Sequence, residues 1–217
     1  MNKHLSLRSG NPALQSNTFR KHLSGVSAGA MTINGTINKT GFSLFLLMVS
    51  SILTWANPSL MVMAIPATIM GIILAIATIF KPVYGYVTVP LYAIVEGVVL
   101  GAISWVFESS YPGIVIQAVF LTFGTLASLL LAYISGLIKA TENFKLGVAA
   151  ATGGIAIVYL ISWVMSLFGS GISIIQSNSL YSIAFSGFVV VIAALNLVLD
   201  FDFIEEGAEM GAPKYME

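Results

Sequence analysis

Between residues 41 and 203 the chain reads as six apolar runs, and its basic residues fall only in alternate gaps between them. The runs are Gly41–Ala56, Leu60–Phe80, Val83–Phe107, Ile114–Ile138, Leu146–Phe168 and Leu180–Phe203. A helix that crosses a bilayer needs about 20 mostly apolar residues. The first run reaches that length if it starts back at Lys39. The gaps carry turn chemistry: Asn57-Pro58-Ser59, Lys81-Pro82, Ser109 to Gly113, and an uncharged Gly/Ser/Asn/Gln stretch over 169–179. Only 8% of residues are charged, against about 25% in a soluble domain. With so little charge the chain cannot build an ordinary aqueous surface, so lipid is its solvent. The fold class this predicts is all-α, a polytopic membrane bundle of six transmembrane helices.

Orientation follows from the nine basic residues. Lys3, Arg8, Arg20, Lys21 and Lys39 precede the first run, Lys81 follows the second, Lys139 and Lys145 follow the fourth, and Lys214 follows the sixth. Basic residues gather on the cytoplasmic side of short loops. That places the N-terminus in the cytoplasm. The domain reading is a polar, disordered cytoplasmic tail over 1–36, a helix bundle over 37–204 and a polar C-terminal segment over 205–217. Asn34-Gly35-Thr36 and Asn38-Lys39-Thr40 match the glycosylation triplet. In a cytoplasmic stretch such triplets have no glycosyl acceptor role. Zero net charge gives no bulk attraction to nucleic acid.

Little conventional catalytic chemistry is available. The chain has no cysteine, and His4 and His22 both lie in the tail. There is no Ser–His–Asp set, no HExxH and no phosphate-cradling glycine loop. An intramembrane aspartyl protease would need two well-placed acids on different helices. The expectation is therefore no enzyme, no cofactor and no resident metal.

The acids carry the functional reading. A carboxylate at a helix centre in the bilayer costs roughly 2.5–3.5 kcal/mol even on lenient scales, and such residues are usually paired, water-facing and functional. Glu108 and Glu142 read as loop residues, and Glu205 to Glu217 as solvated ones. Glu96, Asp200 and Asp202 remain as candidates for an ion pathway or pH sensor. Glu96 sits mid-run, either as a protonated carboxyl bonded to a neighbouring helix or as a pathway lining. Asp200 and Asp202 diverge by about 200° on a helix, so they cannot share one pocket without unwinding. Asp200 lies on a small, polar stripe with Asn196, Ala193, Ser186 and Ser182, which predicts an inward face. Asp202 shares a face with Glu206 and reads equally as a solvated helix end or as a functional acid. Proton occupancy of such acids near neutral pH, with affinity for a hard cation such as Ca²⁺ when ionised, would make a pH gate.

Close helix packing has its own signature. Gly97-Val98-Val99-Leu100-Gly101 is a GxxxG, and Gly147 to Gly154 is almost a Gly/Ala ribbon. Packing within the bundle is the better reading of the first motif than a dimer face.

Several stretches resemble the Bax inhibitor-1 family, in its bacterial YccA-like branch. They are Gly35-Thr36-Ile37-Asn38-Lys39-Thr40, Glu96-Gly97-Val98-Val99-Leu100-Gly101, Tyr111-Pro112-Gly113-Ile114-Val115-Ile116-Gln117-Ala118 and Thr122-Phe123-Gly124-Thr125. The most specific runs from Ala194 to Gly207, with Leu197-Val198-Leu199-Asp200-Phe201-Asp202-Phe203 at its centre. The resemblance implies a seven-helix fold and a pH-sensitive, low-conductance calcium leak, gated by one acid on the sixth helix and one on the seventh. Asp200 matches the sixth-helix acid. The sequence ends at Pro213-Lys214-Tyr215-Met216-Glu217 where the family continues into its last helix, so either it is a fragment or this member lacks that helix. Glu96 is then a candidate substitute partner for Asp200. Other family members are linked to restraint of cell death, or to modulation of a membrane protease in bacteria. The functional expectation is a pH-sensitive calcium or cation leak in the bacterial plasma membrane, with Ca²⁺ as permeant ion and the lipid bilayer as partner. The alternative is a non-conducting regulator that binds another membrane protein.

Overall fold

The computed structural model describes residues 29–169, 172 and 179–217. Among the described residues, six helices, two of them extended by a 3₁₀ turn at their start, are long and apolar enough to cross a membrane. They are α1 (Ile33–Ala56), α2 (Ala64–Phe80), α3 (Gly85–Ser110), α4 (Ile114–Ile134), α5 (Glu142–Leu167) and α6 (Leu180–Glu209). Short 3₁₀ turns over Pro58–Met63, Pro82–Tyr84 and Lys214–Met216 complete the order. Both interhelical 3₁₀ turns begin at a proline, whose fixed φ suits a first helical position and whose missing N–H would go unpaired there anyway.

Two helix ends differ from the sequence reading. The polar tail was expected to run to residue 36, yet α1 starts at Ile33. Thr32 caps it, its side chain accepting the Gly35 N–H at 3.0 Å. At the far end, α6 runs on to Glu209, past the expected boundary at residue 204. The tail over 1–28 lies outside the described residues. Glu108 belongs to α3, not to a loop.

The chain forms two compact units. One holds the described residues up to Phe123 together with Ile204–Glu217, and is built on α1, α2 and α3. The other spans Gly124–Phe203 and contains α5. Helices α4 and α6 contribute residues to both.

The α1–α3 unit is inside-out by the standards of a soluble protein. Phe45 is 62% exposed and Ile52 54%, while the buried residues of α1 are Thr36, Ser50 and Thr54. In lipid, burying large apolar groups gains little, and small residues that let backbones approach give the packing. The buried hydroxyls return their protons to their own helix. Thr36 donates to the Thr32 carbonyl and Thr54 to the Ser50 carbonyl, each at 3.0 Å. The buried residues of α3 are Ala93, Gly97, Gly101 and Ala102, and the two glycines face α1 at Ser50 and Thr54. A Cβ at Gly97 would strike Ser50 Oγ and the Leu47 carbonyl, and one at Gly101 the Ser51 carbonyl. The GxxxG is thus an intrachain seam between α3 and α1. On the other side of α3, the hydroxyls of Thr78 and Thr88 pair at 2.6 Å and tie it to α2.

The Gly/Ala ribbon of α5 does not act this way. A Cβ at Gly147, Gly153 or Gly154 would meet nothing within 4 Å.

Between α3 and α4 the chain turns through Tyr111-Pro112-Gly113. Gly113 has φ 87°, a left-handed conformation that suits glycine. Glu108 then reaches forward to the new helix. Its carboxylate accepts the N–H of Gly113 at 2.7 Å and of Val115 at 3.2 Å, satisfying amides that α4 leaves unpaired.

Candidate functional site

Two polar side-chain pairs of the Gly124–Phe203 unit link α5 to α6. Asn196 on α6 donates through Nδ2 to Thr152 Oγ1 on α5 at 2.8 Å, and to the Ile192 carbonyl at 2.8 Å. One helical turn on, at Asp200, the side chain is half-buried. Asp200 makes no hydrogen bond or ion pair among the described residues. Its neighbours Val198 and Leu199 are buried, at 0% and 4% exposed. Phe201, next along, stacks obliquely on Tyr133 of α4 at 5.9 Å.

Asp202 is paired rather than simply solvated. Its Oδ2 contacts Lys145 Nζ on α5. The Lys145 side chain is 9% exposed, so this ammonium is almost wholly inside the protein. A buried charge persists where a partner neutralises it, and breaking such a pair is costly because the other charge is left behind. The sequence reading assigned Lys145 only a topological role, in the charged loop after the fourth run. In the structure it is the fourth residue of α5, whose first turn is capped by Thr141 and carries Glu142. A positive charge near a helix N-terminus is disfavoured by the helix dipole. That misplaced lysine was the available signal for a tertiary partner.

The supporting stripe is only partly inward. Asn196 faces α5, and Ser182 is buried at 6% exposed. Ser186 and Ala193 are exposed. The reason is angular. At 100° per residue, Asn196 and Ser186 fall on opposite sides of the Asp200 direction, about 80° apart.

Glu96 lies in the other unit, on the face of α3 that meets α2. Its Oε2 would be 3.6 Å from a Cβ placed on Gly71. That is ordinary contact distance, so the half-buried carboxyl lies beside the α2 backbone at Gly71 without requiring a glycine there. Glu96 also makes no hydrogen bond or ion pair among the described residues. The structure therefore gathers Asp200, Asp202, Asn196, Thr152 and Lys145 in one unit, and holds Glu96 in the other. Among the described residues, no three His, Cys, Asp or Glu side chains converge to hold a metal ion.

A family model described as Bax inhibitor 1 like matches residues 11–217, nearly the whole chain. The chain belongs to the Bax inhibitor-1-like family. The match takes in all six spans and the acidic end of α6, where the resemblance is most specific. Comparison with curated proteins and with solved structures gives no match. For this Bax inhibitor-1-like protein, the α5–α6 polar cluster is accordingly read from its own geometry.

Proposed function

We propose that this Bax inhibitor-1-like protein is a proton-sensitive cation leak in which Asp200 is the titrating acid. The observation that carries the reading is the contrast between two neighbouring aspartates on α6. Asp202 has Lys145 as counter-charge, whereas Asp200 has none among the described residues. The pair cancels its own charge, whereas Asp200, two residues away on α6, has no counter-charge among the described residues. Ionised, it attracts a cation with an affinity for oxygen ligands, of which Ca²⁺ is the type. Protonated, it is neutral and can donate a hydrogen bond. Asn196, one turn away, gives a further polar group on the same side of α6. Within the family, the reading places the protein in the bacterial YccA-like branch and in the plasma membrane. The N-terminus is cytoplasmic, on the strength of the basic residues. Lys145 is neutralised by Asp202, but the other eight lie in the same gaps. No enzymatic step and no cofactor enter this reading.

The test is calcium flux into vesicles containing the purified protein, measured from pH 5.5 to 8. Asp200→Asn is expected to flatten the pH dependence. Flux with an unchanged pH profile in that variant would remove Asp200 from the mechanism. A stoichiometric membrane-protein partner, retained by Asp200→Asn in the absence of any wild-type flux, would instead favour a non-conducting regulator.

A further inference from the structure

The polar segment after α6 was expected to be solvated, yet it is tied to the start of α1. Ala30 and Pro213 form an antiparallel bridge. The Met31 N–H donates to the Ala212 carbonyl at 2.6 Å, and the Lys214 N–H to the Gly29 carbonyl at 2.9 Å. Met31 and Ala212 are buried beneath the bridge, at 4% and 0% exposed. Beyond it, Glu217 turns its side chain inward, where only 2% of it is exposed. Its Oε1 accepts the backbone N–H and the hydroxyl of Thr32, each at 3.0 Å. Its Oε2 pairs with Lys39 Nζ at 2.8 Å. The same ammonium reaches the Lys214 carbonyl at 3.4 Å.

Three features make this more than a segment lying on a surface. A carboxylate at a helix N-terminus faces the positive end of the dipole and unpaired amides. Gly35 leaves the space it occupies, since a Cβ there would fall on the Glu217 carboxylate. And the contacts join residues 185 apart in sequence. The ion pair holds Glu217 ionised, below the usual carboxylate range, through Lys39 first and the Thr32 N–H and hydroxyl after it. Lys39 is 48% exposed, so water and salt reach one side of the clasp.

We propose that Ala212–Glu217 is a releasable strap that holds the end of α6 to the start of α1, with Glu217 as its positioning residue. The chain from Asp202 to Glu209 is continuous helix, about 10 Å at 1.5 Å per residue. A rigid rod of that length passes restraint from the strap to the acids. Closed, the strap limits how far the acid-bearing end of α6 can shift. Open, it frees that end without unfolding the rest. The inference goes beyond the leak and is read without measuring flux.

The experiment is amide hydrogen exchange on the full chain in lipid nanodiscs. Three variants are compared with the parent: Glu217→Gln, Gly35→Ala, and an Ala30→Cys/Pro213→Cys pair, oxidised and reduced. The chain has no other cysteine to confuse the cross-link. Loss of the charged contact in Glu217→Gln, or of its space in Gly35→Ala, raises exchange about tenfold at residues 32–36 and also over 199–209, while 86–100 is unchanged. The oxidised cross-link, added to Glu217→Gln, restores protection over 199–209, and reduction removes it. A rise confined to 32–36 would make Glu217 a local helix cap and overturn the proposal. So would a rise spread through 86–100, or no rise at all. Failure of the leak appears elsewhere, as absent flux in wild-type vesicles.

Discussion

Alanine at Gly97 tests the α1–α3 seam directly. The added methyl would fall on Ser50 Oγ and on the Leu47 carbonyl, with the Leu47 carbonyl carbon at 3.1 Å. Ser50 can rotate, at the cost of the hydrogen bond it shares between the Leu46 and Leu47 carbonyls, each at 3.0 Å. The Leu47 carbonyl cannot rotate, because it belongs to the α1 backbone. The helices must therefore separate. Overpacking of this kind costs about 1–3 kcal/mol, and a clash with backbone belongs near the upper end. Alanine regains about 1 kcal/mol of helix propensity over glycine. The net expectation is destabilisation by about 2 kcal/mol. Gly101→Ala should behave alike, since its Cβ would meet the Ser51 carbonyl and sit 2.8 Å from Thr54 Cβ. The two together should cost less than their sum, because one separation of the helices relieves both. Gly153→Ala is the control: with nothing within 4 Å it should be neutral, or stabilising by up to about 1 kcal/mol. Reversible unfolding by SDS titration in mixed micelles measures all four. If Gly97→Ala were as stable as Gly153→Ala, the close approach of α3 to α1 would be refuted.

Two further outcomes follow from the charged pairs. Lys145→Ala strands Asp202 in a largely buried position and should cost about 3 kcal/mol, most of it returned in the Lys145→Ala/Asp202→Ala double variant; simple additivity of the two single changes would contradict the pairing. Glu217 sits below its ordinary pKa in the folded protein, so its stabilisation is complete above the ordinary carboxylate value near 4.5 and is lost as pH falls through the lowered folded value. The stability difference between wild type and Glu217→Gln should hold constant from pH 7 to about 5 and shrink in more acid solution. A difference that grew on acidification would show that the clasp does not favour the ionised form.

What could be read from the sequence divides along a physical line. The six spans were legible because crossing a bilayer is a demand on length and hydropathy alone, and local composition meets it or does not. The α3 glycines were legible as a packing surface, since small residues four apart can serve little else in lipid. That their partner is α1 was not, because the facing residues, Ser50 and Thr54, look unremarkable until the seam is seen. The ends of the first and last helices were misjudged for one common reason. Asn34 to Thr40 is too polar to suggest a helix, and Ile204 to Glu209 too acidic to suggest that α6 continues. The first stretch is held by the Thr32 cap and the Glu217 carboxylate, a contact no local window contains. The same holds for the site. The divergence of Asp200 from Asp202 followed from helix angles, but which acid would be neutralised depended on Lys145, 57 residues earlier in the chain. A sequence can thus nominate buried acids by their cost. Only the tertiary pairing decides which of them is neutralised, and here it neutralises Asp202 and leaves Asp200 and Glu96 without a counter-charge among the described residues.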